Sequence, residues 1–206
     1  MKNLFVFSFF LITTITLSQS AKEKRFKQDV ARLVEEMESM YTIDKLLLEY
    51  SSVISYNRSD TVRIDNLSER LGIVETANKK IINDSLTDYI FKNHINPKYG
   101  EHSVRMIAII KKYGFPGKER IRLYYDKEFR DPKFMPYRLL ENAPLEHSIK
   151  LKKLLRKELK KGRINKCTYG NLMWRLSRPM DTQILLDNGY VMEEKDGVPH
   201  FKPDCE

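Results

Sequence analysis

Residues 145–162 read Leu-Glu-His-Ser-Ile-Lys-Leu-Lys-Lys-Leu-Leu-Arg-Lys-Glu-Leu-Lys-Lys-Gly. At about 100° per residue, Leu151, Leu154, Leu155 and Leu159 fall on one side of a helix. Lys150, Lys152, Lys153, Arg156, Lys157, Lys160 and Lys161 fall on the opposite arc, and only Ile149 strays among them. The spacing predicts an amphipathic helix over 145–161, with Pro144 suited to its first turn and Gly162 as its stop. A helix with one apolar stripe must pack against other elements, so the fold is expected to be built by packing helices.

Working outward, Phe26, Val30, Leu33, Val34, Met37, Met40, Tyr41, Leu47 and Leu48 recur at steps of three and four. They predict one long first helix over 22–56. Residues 57–66 are polar and read as a loop. Leu67, Leu71, Val74, Ile81, Ile82 and Tyr89 predict a second amphipathic helix over 67–91. Asn93 to Gly100 reads as a break, with Pro97 and Gly100 as stops. Residues 101–113 are apolar around most of a helix, which suggests a central position. That helix ends in Tyr113-Gly114-Phe115-Pro116, where Gly114 offers a left-handed residue and Pro116 blocks continuation. Residues 117–143 read as irregular, with a short helix at Ile121 to Tyr125. A further short helix is expected from Tyr169 to Leu176. Tyr190 to Phe201 surrounds Asp196-Gly197, a hairpin signal, with Pro199 confining its strand to an edge. The expected fold is mostly α: a single-domain irregular helical bundle, its helical core over 67–178, with a small C-terminal β-hairpin in the 179–206 tail.

The N-terminus carries a different message. Lys2 precedes Leu4 to Leu17, which hold no charge, and small residues follow. Thr16 and Ser18 stand at −3 and −1 of a cut before Gln19, the pattern of a cleavable signal peptide over residues 1–18. The apolar stretch is shorter than the roughly 20 residues that cross a bilayer. The reading is therefore an exported chain (periplasm, cell envelope or secreted) with no transmembrane helix after cleavage near Ser18, leaving 19–206 as the helical domain. At 41% hydrophobic and 32% charged residues, the composition is that of a globule rather than a disordered chain. In an oxidising compartment Cys167 and Cys205 could pair. The loop so closed would contribute about 4 kcal/mol in the chain-entropy model. Neither a CxxC pair nor a Cys/His metal spacing occurs, and no cofactor or metal is expected.

The formal net charge is +9. The basic arc of the 145–161 helix, chiefly Lys150, Lys153, Arg156, Lys157, Lys160 and Lys161, would attract an anionic polymer, a lipid surface or an acidic protein. It has no aromatic side chain for base stacking, so no specific nucleic-acid signature is present. Two carboxylates are out of place: Asp44 falls in the middle of the first helix's apolar stripe, and Glu158 near the centre of the leucine face. His147 falls on that same side. An acid facing a core must be paired, protonated or solvated in a cleft. Arg105, Arg138 and Arg175 are candidate partners for buried ion pairs. The sharper alternative is a hydrolase-like enzyme with Asp44 and Glu158 as acid and base. No Gly-flanked Ser nucleophile, phosphate loop or paired-His motif accompanies them, so no catalytic residue is assigned.

Ile-Ile-Lys-Lys-Tyr-Gly-Phe-Pro-Gly (109–117), Leu-Leu-Arg-Lys-Glu-Leu-Lys-Lys-Gly-Arg-Ile (154–164) and Tyr-Gly-Asn-Leu-Met-Trp-Arg-Leu (169–176) occur in that order. In order and spacing the chain resembles, over about residues 100–178, a domain-of-unknown-function family of small exported helical proteins of Bacteroidetes-type bacteria. The resemblance implies an exported helical domain and no particular activity. The family's first helix often carries Asp-Gln with an Arg three residues on; here Lys45 follows Asp44, and Leu48 stands at the Arg position. The family's later Asp-Arg is Trp174-Arg175 here.

Overall fold

The computed structural model describes residues 2–55, 85–177, 179–195 and 198–205, with residues 2–20, 50–55, 85–87, 195 and 198–199 described by backbone alone. The expected 57–66 loop, most of the 67–91 helix and the Asp196-Gly197 turn lie outside the described residues. Helix α1 runs Lys2–Ser55, a length that the absence of any Gly or Pro in this stretch permits. Phe26, Leu33, Val34 and Met37 are completely buried, and Val30 and Met40 nearly so. Farther along the stripe fades, with Leu47 half-buried and Leu48 37% exposed.

The expected break at Asn93 to Gly100 is absent. Helix α2 (Ser85–Ile90) passes through one π turn (Phe91–Ile95) directly into α3 (Asn96–Tyr113). Pro97 stands in the first turn of α3. A proline in mid-helix clashes with the carbonyl four residues back and leaves it unbonded. The wider turn just before Pro97 shifts the backbone pairing and lets the helix continue. Gly100 lies inside α3 and costs about 1 kcal/mol relative to Ala without ending it.

Helix α3 runs antiparallel to α1, as three cross-links along the pair show: Tyr113 to Asp29, Arg105 to Glu36 and His102 to Asp44. Met106, Ile109 and Ile110 bury against the α1 stripe. Covering is one-sided, because Val104 and Ala108 remain exposed on the outer face. At Gly114 the chain turns with φ +84° and ψ 173°. This is a glycine conformation, but extended rather than the left-handed helical form expected.

The irregular stretch holds α4 (Lys118–Arg122), which begins before the expected Ile121 because Gly117 supplies the extended residue that precedes it. Phe134, fully buried, packs between Tyr41 of α1, against which it is tilted, and Phe129, which it meets edge to face. Helix α5 is one turn, Arg138–Glu141. Helix α6 (Leu145–Lys160) runs beside α3 in the same direction, placing Leu151 and Leu155 fully in the core. Gly162 then takes φ +64°. Helix α7 (Lys166–Leu176) starts three residues before the expected Tyr169, since Asn165 caps it by accepting from the Thr168 N–H at 2.7 Å.

After the single-turn α8 (Gln183–Leu186), β1 (Tyr190–Lys195) and β2 (Val198–Pro203) pair antiparallel, with Met192 opposite Phe201. The described fold is thus mostly α with one small C-terminal hairpin. A Cys167–Cys205 disulfide, S–S 2.05 Å, ties the end of that hairpin to α7.

Candidate functional site

Three groups of polar residues stand out: the exposed face of α6, a charged lock around Gly114, and a buried pair at the far end of α3.

Leu151 and Leu155 fix the roll of α6 by burying against α3, so Lys150, Lys153, Arg156, Lys157, Lys160 and Lys161 point to solvent. Lys152, at the edge of the arc, is half-buried. None of the seven is in an ion pair or a side-chain hydrogen bond with another described residue. Leu145 and Ile149, 63% and 65% exposed, continue the same outward face toward the N-terminal end of the helix. The C-terminal end of α6 lies beside the Lys22 turn of α1. Lys22 donates to the Lys111 carbonyl at 2.6 Å. Burial lowers the Lys22 ammonium below the usual lysine value; Glu158 opposes this, while Arg163, Lys161 and Arg25 add to it. Basic residues from α1, α3 and α6 are therefore gathered at one end of the molecule.

The same end contains the lock. Glu158, 2% exposed, accepts the Phe115 N–H at 3.0 Å and is gripped by Arg163 through two bonds of 2.5 and 2.9 Å. Arg120 donates to the carbonyls of Tyr113 and Phe115 at 2.8 and 3.0 Å, pairs with Glu23, and lies 3.8 Å over the Phe26 ring. The turn after α3 is thereby held by side chains from α1, α4, α6 and the segment after Gly162. Burial alone would raise the Glu158 carboxyl, but the Arg163 bonds, the Phe115 N–H and the charges of Arg163 and Lys22 hold it below the usual carboxylate value. A cleft of about 510 Å³ opens beside the lock, lined by Lys118, Leu123, Pro136, Tyr137, Arg163 and Thr168 among others.

Asp44, 9% exposed, lies 2.8 Å from His102 Nδ1, and neither contacting atom has an aligned hydrogen-bond partner. Tyr99 stands close by, and its hydroxyl is pushed up to about 12, first by burial and then by the Asp44 charge. Nearer the middle of α1, Glu38 is buried and accepts the Arg130 N–H at 2.6 Å, holding the irregular stretch against the helix.

Both displaced carboxylates are thus buried, but with partners other than the arginines expected. Arg105 pairs with Glu36 and Arg138 with Glu141. Arg175 is not buried; it is exposed and lies 4.6 Å over the Trp174 ring. His147 is half-buried, 3.4 Å from the exposed Glu146, and does not reach Glu158. Asp44 meets α3 at His102 and Glu158 meets the chain just past the end of α3 at Phe115; the stretch of α3 from His102 to Tyr113 alone spans about 17 Å. They do not share a cleft. His102, Arg120, Arg163, Glu23 and Glu38 went unassigned in the sequence. His102 was hidden by the expected break before α3. Arg163 was legible in principle, because a left-handed Gly162 turns the chain back over the last turn of α6.

No protein-family model, no curated protein and no solved structure matches the chain. Among the described residues no group of three or more His, Cys, Asp or Glu side chains is placed to hold a metal ion, and no helix is long and apolar enough to cross a membrane.

Proposed function

We propose that this chain is an exported, non-catalytic binding module of the cell envelope or secreted space that holds an anionic partner on the basic face of α6. The carrying observation is that seven basic side chains share one arc of that helix and none is neutralised by a described acid. Such a face concentrates positive potential over a surface rather than spending it on the protein's own carboxylates. The signal-peptide pattern and the Cys167–Cys205 bond fit an oxidising, extracytoplasmic setting. The direct test is binding to a soluble polyanion such as a sulfated polysaccharide at 0.1 M and 1 M salt. Screening shortens from about 10 Å to about 3 Å over that range, so binding should collapse. Replacing Lys153, Arg156, Lys157 and Lys160 together by Gln should abolish it without changing the circular dichroism melt. A variant that binds as well as the wild type would refute the role of this face.

A further inference from the structure

We infer that the cleft beside the Gly114 lock is a second binding site, independent of the basic face, and that its ligand is a small organic carboxylate with an apolar body. At about 510 Å³ the cleft has the size that holds a small organic molecule. Its polar lining, its charge balance and its apolar wall each narrow the chemistry of that molecule.

The polar groups left uncommitted in the cleft are mostly donors. Arg163 lines it with a side chain only 10% exposed. Its Nε and Nη2 donate to Glu158, whereas Nη1 donates to no described residue. Buried donors are normally paired, so an idle nitrogen on a cleft wall is a place for a ligand's acceptor. Arg120 offers nothing further, because all three of its nitrogens already donate, to Glu23, Phe115 and Tyr113. Lys118 is half-buried on the cleft wall. Its ammonium lies 5.7 Å over the Phe129 ring and is in no ion pair with a described residue. Asn165 uses only Oδ1, to cap α7, which leaves its amide N–H groups free among the described residues, as is the Thr168 hydroxyl. Both residues belong to the start of α7, where the helix dipole favours a negative group. Donors from Arg163, Lys118, Asn165 and Thr168 around one cleft suit an anionic oxygen.

Charge balance limits that anion to a single charge. Glu23 and Glu119 line the same cleft, and Glu158 lies directly behind Arg163. A phosphate monoester dianion would meet those carboxylates with about twice the repulsion of a monoanion. The wall supplies the rest of the ligand's description. Leu123, Met135, Pro136 and Tyr137 line it, with Leu123 71% exposed at the rim. An aliphatic or aromatic body seated there would remove that leucine from water, which is favourable in proportion to the area covered.

The test is a calorimetric titration of the full chain with phenylpropionate, phenylpropionamide, acetate and phenyl phosphate. Phenylpropionate should bind with a Kd on the order of 1 mM, and roughly tenfold more tightly than its uncharged amide. Acetate, which lacks the apolar body, should not bind measurably, and phenyl phosphate should bind more weakly than phenylpropionate. Lys118→Gln should weaken the carboxylate severalfold and leave the amide unchanged. Leu123→Gln should weaken both. Neither side chain is fully buried, so both variants should keep the wild-type melt. The variant with Lys153, Arg156, Lys157 and Lys160 changed to Gln should bind phenylpropionate as the wild type does while losing the soluble polyanion. The inference is overturned by no binding of phenylpropionate, by equal binding of the amide or of acetate, or by tighter binding of phenyl phosphate. Binding that falls in the α6 variant but not in Lys118→Gln or Leu123→Gln also overturns it, and leaves the basic-face reading standing.

Discussion

At the scale of single residues, Glu158 is the most consequential side chain. Removing its charge leaves the Arg163 guanidinium, 10% exposed, without its counterion. Breaking a buried pair in this way costs about 3–5 kcal/mol. Glu158→Gln should lower the unfolding free energy by that order in a urea titration, and a change under 1 kcal/mol would contradict the pairing. The pH dependence follows from the direction of the shift. The folded-state carboxyl titrates below the ordinary value of 4.5, so the unfolded state takes up the proton first as pH falls. Stability from this group is complete above about pH 4.5 and is lost as pH drops through the lower folded value. The gap between wild type and Glu158→Gln should therefore narrow below pH 4.5. Sequence pattern was enough to mark Glu158 and Asp44 as facing inward, since a helical wheel depends only on spacing. It could not name their partners, because Arg163 and His102 reach them through a turn and across a helix pair.

At the scale of elements, the turn after α3 is the joint on which four segments meet. A Cβ at Gly114 would come within 2.5 Å of Arg163 Nε, and the φ of +84° disfavours any side chain. Gly114→Ala should cost more than about 1 kcal/mol, and more than the strain alone, because it also pushes Arg163 off Glu158. Combined with Glu158→Gln, the two losses should be less than additive in thermal melts; strict additivity would mean that the turn and the ion pair are independent. The helices themselves were legible in outline. The leucine face of α6 and the α1 stripe follow from period alone, and the starts of α4 and α7 differ by only a few residues where Gly117 and Asn165 supply local caps. The misread element was α3, because Pro97 is a strong stop signal only when the preceding turn is a regular α turn.

At the scale of the molecule, the disulfide decides how the C-terminal hairpin is held. A two-stranded ribbon is marginal by itself, and Cys167–Cys205, 38 residues apart, anchors it to α7. Changing both cysteines to Ser should cost up to about 4 kcal/mol. The β1 and β2 amides should lose hydrogen-exchange protection before those of α3 and α6. Equal protection throughout would show that the hairpin docks without the bond. Among the described residues the buried apolar side chains form two clusters, the main core and a smaller one of Ile90, Ile95 and Tyr99 with Leu47 and Phe91. They are joined across the π turn. A π turn carries about one residue more than an α turn, so the apolar code of α2 is written one position out of phase with that of α3. Counted as uninterrupted α-helix, Ile90 would face away from Met106; with one position skipped, it comes round to the same side. A related chain could therefore drop one residue between Phe91 and Ile95 and keep both faces aligned, whereas a single deletion elsewhere between Ser85 and Tyr113 would turn one cluster toward water.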